Sequence, residues 1–167
     1  MATVGLQPAS NAFSRSNAEK TLRKPVRLEY LAKYLAAGDL DELTKRFPGG
    51  LVHVWGVKSE RVYQWAKLIP EHCLVLFRQG PRAVFRGIVV YRLISEPLAL
   101  HLWGRDEDDQ TWSLVYFLSH LKPIDIPARE INAAAKLDLD WNWQGFITLL
   151  PPESTAVLEL VAQHEGL

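Results

Sequence analysis

Three of the six tryptophans lie at the ends of short apolar runs that alternate as β-strands do. Trp55 ends LVHVW, Trp103 ends LALHLW, and Trp112 begins WSLVYFL. Successive side chains of a strand point to opposite faces, so LALHLW would place its leucines on one face and Trp103 on the other. An indole off the main apolar face has to cover a second small core, contact a helix or receive a ligand. These runs predict a β-rich domain with indoles available for binding.

Further runs of the same kind extend the predicted sheet. The pattern predicts strands over 51–57, 73–78, 82–94, 98–103, 112–118 and about 121–126. A helix over 59–69, with Ser59 as N-cap and Trp65 in its buried stripe, separates the first two strands. Gly87 indicates a bulge or a barrel corner, and helices are predicted from Pro127 and over PESTAVLELVAQH. Few short helices among several strands predict an α+β fold with a curved or closed mixed sheet, not a doubly wound one.

The first 50 residues are predicted to be an accessory region. Residues 1 to about 16 are rich in Ser, Asn and Ala without periodicity, which is typical of a flexible tail. The stretch LEYLAKYLAAGDLDELTKRFPGG has apolar residues at helical spacing, stops at Gly38 and restarts with Asp39 as N-cap, so it predicts two short helices. We therefore divide the chain into a tail with a helical arm, 1–50, and a main domain, 51–167.

Composition is that of an ordinary globular domain. A chain of 167 residues with 48% hydrophobic and 23% charged residues can bury one sizeable core. No apolar run is long enough to span a membrane, and the N-terminus lacks the apolar centre of a signal peptide. We expect a cytoplasmic protein that does not contact membranes, in which the single Cys73 is a small core residue.

Most signatures of enzymes and metal sites are absent from the sequence. There is no G-x-x-x-x-G-K-[ST], no G-x-S-x-G and no paired cysteine motif. The five histidines have no ligand spacing, and the DEDD run at 106–109, which could hold a cation, is typical of a solvated turn. Glu60, Glu71 and Asp125 have no partner residue that spacing identifies. We therefore expect a binding module with no catalytic residue, no metal and no cofactor.

Positive charge is concentrated in one part of the chain, although the formal net charge is zero. The segment from Lys58 to Arg92 contains seven lysines and arginines but only two acidic residues, Glu60 and Glu71. Such asymmetry permits a local phosphate-binding patch on a neutral protein, while basic residues that protect sheet edges are the alternative. The candidates for phosphate contacts are Lys58, Arg61, Arg78, Arg82 and Arg86.

The order of these motifs resembles that of a known family. Along about residues 51–150 follow VWGVKS, the helix with Trp65, LVLF, a long strand interrupted by glycine, LALHLWG, WSLVYFLSHLKPIDIPAREIN and QGF. This order is similar to that of the EVE-like group of the PUA-like superfamily, relatives of YTH domains. The group includes the N-terminal DNA-recognition part of McrB-type modification-dependent restriction proteins. Many relatives carry Gly-Asp before the strand that begins here at Cys73, whereas this chain has Glu71 and His72 in that turn.

The resemblance implies a small β-barrel flanked by helices, which binds nucleic acid by flipping one modified base into an aromatic cage. Trp55, Trp103 and Trp112 would form the cage, and further candidates for the cage or its rim are Ser59, Tyr116, Trp143 and Gln144. Stacking on an indole contributes roughly 1–3 kcal/mol per base. N6-methyladenine in DNA is expected slightly ahead of methylated or hydroxymethylated cytosine, in the service of a restriction system. Any NTPase or nuclease activity would reside in a partner or in another domain.

Other classes of function are compatible with the same residues. An RNA-binding domain of the same superfamily would use the same cage. A small enzyme, or an interaction domain that binds no nucleic acid, would carry these tryptophans only as packing residues, as most domains of this size do. Binding of one oligonucleotide in unmodified, adenine-methylated and cytosine-methylated forms separates these alternatives.

Overall fold

The structure, a computed structural model, describes residues 2–60 and 69–166. The strands are β1 (Val4–Pro8), β2 (Val26–Arg27), β3 (Leu51–Val57), β4 (Leu74–Gln79), β5 (Arg82–Ile94), β6 (Leu114–Pro127) and β7 (Ile147–Thr148). The α-helices are α1 (Ala12–Thr21), α2 (Ala37–Arg46), α3 (Glu96–Trp103), α4 (Ala128–Ala134) and α5 (Pro151–His164). Short 3₁₀ turns occupy Leu28–Tyr30 and Ala32–Tyr34. Across these described ranges, no helix combines the length and apolar character that crossing a membrane requires.

The seven strands form one mixed sheet in the order β2-β3-β6-β5-β4-β1-β7. β1 runs parallel to β4, and the other paired strands are antiparallel. The long strands β5 and β6 pair with several register shifts, one of which spans Gly87 as its position in the run predicted. The described strands begin at β2 and end at β7 without closing, so the expected α+β class is confirmed and a closed barrel is wrong.

Three strand predictions are wrong or incomplete. Residues 98–103 are helical, because Ser95 accepts a hydrogen bond from the Leu98 amide at 3.2 Å and Pro97 occupies the first turn. The buried residues Leu98, Ala99 and Trp103 share one helical face, whereas the alternation in LALHLW had suggested a strand. The runs predicted as 112–118 and 121–126 form the single strand β6, while the ranges 51–57 and 82–94 are confirmed.

The expectation of a flexible N-terminal tail is also wrong. β1 pairs with β4 and is buried along most of its length, and Asn11 caps α1 by accepting from the Ser14 amide at 2.8 Å. A short strand buried on both faces shows no polar alternation, so its pattern gave no signal. In the predicted helical arm, α2 begins at Ala37 after the N-cap Ala36, not at Asp39. The division at residue 50 stays a prediction, and strands from both sides of it share the sheet.

The sheet has a core on each face. One face of β3 contributes Trp55 and Val57 to a cluster that also contains Ala18 of α1. The opposite face contributes Val52 and Val54 to a cluster with α2 and α3. A third cluster packs α4 and α5 against β1 and β4. The end of β3 therefore lies where two cores and the start of α1 meet. Arg61, Trp65 and most of the predicted helix over 59–69 lie outside the described residues.

Candidate nucleic-acid interface

A cavity of about 400 Å³ opens where the end of β3, the start of α1 and the segment 142–146 come together. This volume lies in the range typical of small-molecule pockets, roughly 300–1,000 Å³. Its aromatic walls are Trp55, Trp112, Trp143 and Phe146, and we call it the aromatic pocket. Its polar lining includes Gln7, Ser10, Asn11, Ser14, Lys58 and Asn142.

The indoles behind and around this pocket form one continuous aromatic cluster. The ring centroids of Trp55 and Trp103 are 6.3 Å apart, and those of Trp103 and Trp112 are 6.4 Å apart. Trp55 also meets Phe77 edge to face at 5.9 Å. Edge-to-face pairs at these separations are favourable because the positive edge of one ring faces the negative surface of the next. The structure thus brings together the three tryptophans that the sequence nominated.

Trp103 does not line the pocket, although it belongs to the cluster. Its indole N–H donates to the Thr21 hydroxyl at 3.2 Å, and that hydroxyl donates to the Val54 carbonyl at 2.6 Å. A Cβ atom at Gly56 would lie 2.7 Å from Cζ3 of Trp103 and 2.7 Å from the carbonyl oxygen of Trp112. Glycine therefore lets β3 lie directly against both indole residues, with Trp103 behind the pocket wall.

Gly56 presents backbone groups along an uncovered edge of β3. β2 pairs only with Leu51 and Val52, and the Val54 carbonyl accepts from Thr21, so it points away from β6. Backbone groups of alternate residues in an antiparallel strand point the same way, so the N–H and carbonyl of Gly56 also point away from β6. Because Gly56 lines the pocket, this edge can hydrogen-bond to a planar ligand there.

Tyr116 and Gln144, both predicted for the cage or its rim, lie outside the pocket lining. Tyr116 is fully buried, and its hydroxyl donates to Oε1 of Gln7 at 3.0 Å. Burial raises the pKa of Tyr116 well above its ordinary value, which keeps this hydroxyl a donor. The Gln7 amide nitrogen donates to the Pro8 carbonyl at 3.0 Å, so its orientation is fixed from both ends. Gln144 is exposed.

Trp143, the other aromatic rim candidate, does line the pocket and has an unusual backbone. Its φ is 54°, in the left-handed region that bulky residues rarely adopt. Its indole N–H donates to Oδ1 of Asn132 at 2.7 Å. The guanidinium of Arg78 lies 5.5 Å from its ring centroid and donates to the Trp141 carbonyl at 2.7 Å and to Oδ1 of Asn142 at 3.4 Å. Arg78, predicted to bind phosphate, therefore holds the loop that positions Trp143.

Lys58 and Ser59 lie at the pocket end of β3. The Lys58 ammonium is 2.5 Å from Oδ2 of Asp106, and this hydrogen bond holds the pKa of Asp106 below its ordinary value. Lys58 lines the pocket, so of the predicted phosphate contacts within the described residues it is the one closest to the aromatic walls. The Ser59 hydroxyl donates to the Thr111 carbonyl at 3.0 Å and accepts from Ser113 at 2.7 Å, which ties β3 to the segment before β6.

Arg82 and Arg86, two of the remaining predicted cations, do not border the pocket. Arg82 forms an ion pair with Asp125, and Arg86 lies 2.5 Å from a carboxylate oxygen of Glu165. Both pairs lie along β5, away from the pocket lining. Arg61 lies outside the described residues. Phosphate binding by these arginines stays a prediction.

Basic residues of α1 and of the loop after it were missed by the sequence reasoning. Arg15, Lys20 and Lys24 are exposed and form no ion pair among the residues that the structure describes. The same helix supplies Ser14 and its cap Asn11 to the pocket. Arg15 lies in the stretch that was expected to be a flexible tail, and no element was predicted for Lys20 and Lys24, so these charges had no predicted position relative to the sheet.

Comparison with known proteins gives a structural match without a sequence match. No protein-family model and no curated protein matches this sequence. Among solved structures, the chain is similar to the N-terminal domain of Thermococcus gammatolerans McrB bound to m5C DNA, with a TM-score of 0.72. The two chains are 16% identical, and the match covers 96% of this chain and 98% of that chain. The likeness therefore includes most of the first 50 residues, which the sequence resemblance had left unexplained. In fold, this chain is therefore an α+β domain similar to that N-terminal domain of McrB.

Proposed function

We propose that this chain binds DNA that carries a modified base, and that the aromatic pocket receives this base after it has been flipped out of the helix. The observation that carries the proposal is the pocket itself, in which Trp55, Trp112 and Trp143 surround about 400 Å³ beside the backbone edge of Gly56. The similarity in fold to a domain bound to m5C DNA supports it.

The pocket offers the two kinds of interaction that a flipped base requires. Unstacking a base from the duplex costs a few kcal/mol, and stacking on indoles returns roughly 1–3 kcal/mol per base. The Gly56 backbone groups and the fixed Gln7 amide provide hydrogen bonds at the base edge. The added methyl group is apolar and can pack against an aromatic wall. A group of this size in an apolar pocket favours binding of the methylated base over the unmodified base by roughly 1–3 kcal/mol.

The modification itself is the finer part of the proposal. The neighbour's m5C DNA makes 5-methylcytosine the first candidate, ahead of the N6-methyladenine that the sequence favoured. We further propose that the domain is not catalytic and serves a modification-dependent restriction system in the cytoplasm. The NTPase and nuclease activities of that system would belong to a partner or to another domain.

A binding comparison tests this function directly. One oligonucleotide is prepared unmodified, with 5-methylcytosine and with N6-methyladenine, and the same sequence is prepared as RNA. We expect tighter binding of one methylated DNA than of the other forms. Equal affinity for all DNA forms, or tighter binding of the RNA, would reject the proposal.

A pair of tryptophan variants connects that preference to the pocket. Trp112→Ala removes a pocket wall, and we expect it to lower affinity for the preferred DNA by roughly 5- to 150-fold, the equivalent of one stacked base. Trp141→Ala is the matched control, because Trp141 is half-buried but lies outside the pocket lining. Loss of preference in the control variant with retention in Trp112→Ala would place the site elsewhere.

A further inference from the structure

Phe13 is an exposed aromatic side chain on the helical turn that borders the pocket. Its side chain is 40% exposed, and it lies between Asn11 and Ser14, both of which line the pocket. Helical side chains lean toward the N-terminus of their helix, so Phe13 leans toward the end of α1 at which the pocket opens. The other large exposed apolar residues within the described ranges do not lie within two residues of the pocket lining: Tyr30, Leu51, Ile94, Leu139 and Leu150.

Phe13 does not belong to any of the three core clusters. The buried face of α1 consists of Ser14, Asn17, Ala18 and Thr21. At 100° per residue, Phe13 lies beside that face and not on it. Its ring is therefore available to an external partner at the mouth of the pocket.

The charge around Phe13 suits a polyanion. Arg15, Lys20 and Lys24 follow it on the exposed side of α1 and the loop after it, and the first turn of the helix contains no acidic residue. Nε of Arg15 also donates to the Ser10 carbonyl at 2.7 Å, and this hydrogen bond holds the Arg15 guanidinium next to a residue of the pocket lining. Cations of this kind bind phosphates by releasing condensed counterions from DNA.

We infer that α1 contacts the DNA duplex and that Phe13 fills the gap that the flipped base leaves in the base stack. The inference rests on the proposed function, and it specifies the ligand as double-stranded. An apolar side chain inserted between base pairs restores stacking contacts that flipping removes. The pocket would hold the modified base while the same helical turn closes the space behind it.

Comparison of duplex and single strand tests this role. The methylated oligonucleotides are measured in both forms with the wild type, with Phe13→Ala and with Leu150→Ala, a matched loss of an exposed apolar side chain remote from the pocket lining. We expect Phe13→Ala to weaken binding of the preferred duplex by roughly 5- to 150-fold. Its binding of the methylated single strand stays at the wild-type level, because a single strand has no gap to fill. Leu150→Ala changes neither, and thermal unfolding verifies that both variants are folded.

Each other result overturns the inference in a recognisable way. Equal losses on duplex and single strand in Phe13→Ala would place Phe13 in the pocket or the fold. Wild-type duplex binding by Phe13→Ala would overturn the insertion of Phe13 and leave the proposed function standing. A wild type that binds the methylated single strand but not the duplex would overturn the inference together with the flipping step of the proposed function. Absence of any preference for methylated DNA in the wild type would overturn both.

Discussion

Trp103 and Trp112 lie on different sides of the same pocket wall, although their burial is almost identical. Their side chains are 6% and 7% exposed, and their ring centroids are 6.4 Å apart. Trp112 lines the pocket, whereas Trp103 lies behind Gly56 with its N–H bonded to Thr21. Burial alone therefore does not distinguish a residue that lines the pocket from one that supports the pocket wall.

The different positions of these two indoles predict different effects of their substitution on protein stability and on DNA binding. Trp103 packs in the core with Leu98 and Ala99 of its own helix, and its position fixes how closely β3 approaches. Trp112 contributes to that core and also to the pocket surface. Changes at Trp103 should act first on folding, and changes nearer the pocket should act more on binding.

Trp103→Ala has the largest expected effect. Truncation of a buried indole leaves a cavity and removes the donor to the Thr21 hydroxyl, so we expect a loss of about 3–5 kcal/mol in the free energy of unfolding. Chemical denaturation measures this loss. Trp103→Phe keeps most of the packing and should lose less. A Trp103→Ala protein that keeps its stability but loses its preference for modified DNA would instead make Trp103 a direct cage wall, as the sequence suggested.

Gly56→Ala has the next largest effect and acts on both sides of the wall. The new methyl group would lie 2.7 Å from Trp103 Cζ3, 2.7 Å from the Trp112 carbonyl oxygen and 2.8 Å from Trp112 Cβ. One of these contacts is to backbone, so the strand and the indoles have to move apart. We expect a loss of about 1–3 kcal/mol in unfolding free energy, as for other overpacked cores, together with weaker binding.

Gly38→Ala provides the control for this change. Gly38 lies in the first turn of α2, and a methyl group at its Cα would have no neighbouring atom within 4 Å, so alanine there should be neutral or slightly stabilising. If both alanine variants unfolded at the wild-type temperature, the close approach at Gly56 would have no energetic consequence.

The local patterns in the sequence predicted β3 and β5, divided β6 into two strands, and missed short or ambiguous elements. The ranges of β3 and β5 were predicted residue for residue, because their apolar positions alternate over seven residues or more. LALHLW alternates equally well, but Ser95 and Pro97 before it start a helix, and these start signals outweighed the period in the folded chain. β1 was missed because it is short and buried on both faces, a property that depends on its neighbours in the sheet.

The aromatic residues of the candidate site were predicted from the sequence, but the segments that surround them were not. Trp55, Trp112 and Trp143 were nominated and border one cavity. Gln7, Asn11 and the exposed side of α1 were not, because they belong to a segment without periodicity. Its place depends on long-range contacts, the pairing of β1 with β4 and the hydrogen bond from Thr21 to the Val54 carbonyl of β3. Ion pairing was equally invisible to spacing, since Arg86 and Glu165 are far apart in sequence.

Lys58→Met should have the smallest effect on stability and binding, and it tests a charged residue of the pocket lining. Lys58 lowers the pKa of Asp106 through their hydrogen bond, so the pair is intact at neutral pH. Its contribution to stability is present above the ordinary carboxyl pKa and is lost as the pH falls through the lowered value. In Lys58→Met we expect the pKa of Asp106 to rise toward 3.8, as measured by NMR titration of the carboxyl group.

The same variant shows whether Lys58 contacts phosphate. If it does, Lys58→Met binds modified and unmodified DNA more weakly by similar factors, and the slope of log affinity against log salt decreases by about one. Asp106→Asn is the matched variant, because it releases Lys58 from its acidic partner while an amide oxygen can still accept from the Asp108 and Gln110 amides. It should bind DNA at least as tightly as the wild type. An unchanged salt slope in Lys58→Met, with the pKa of Asp106 raised as expected, would restrict Lys58 to holding the loop that contains Asp106.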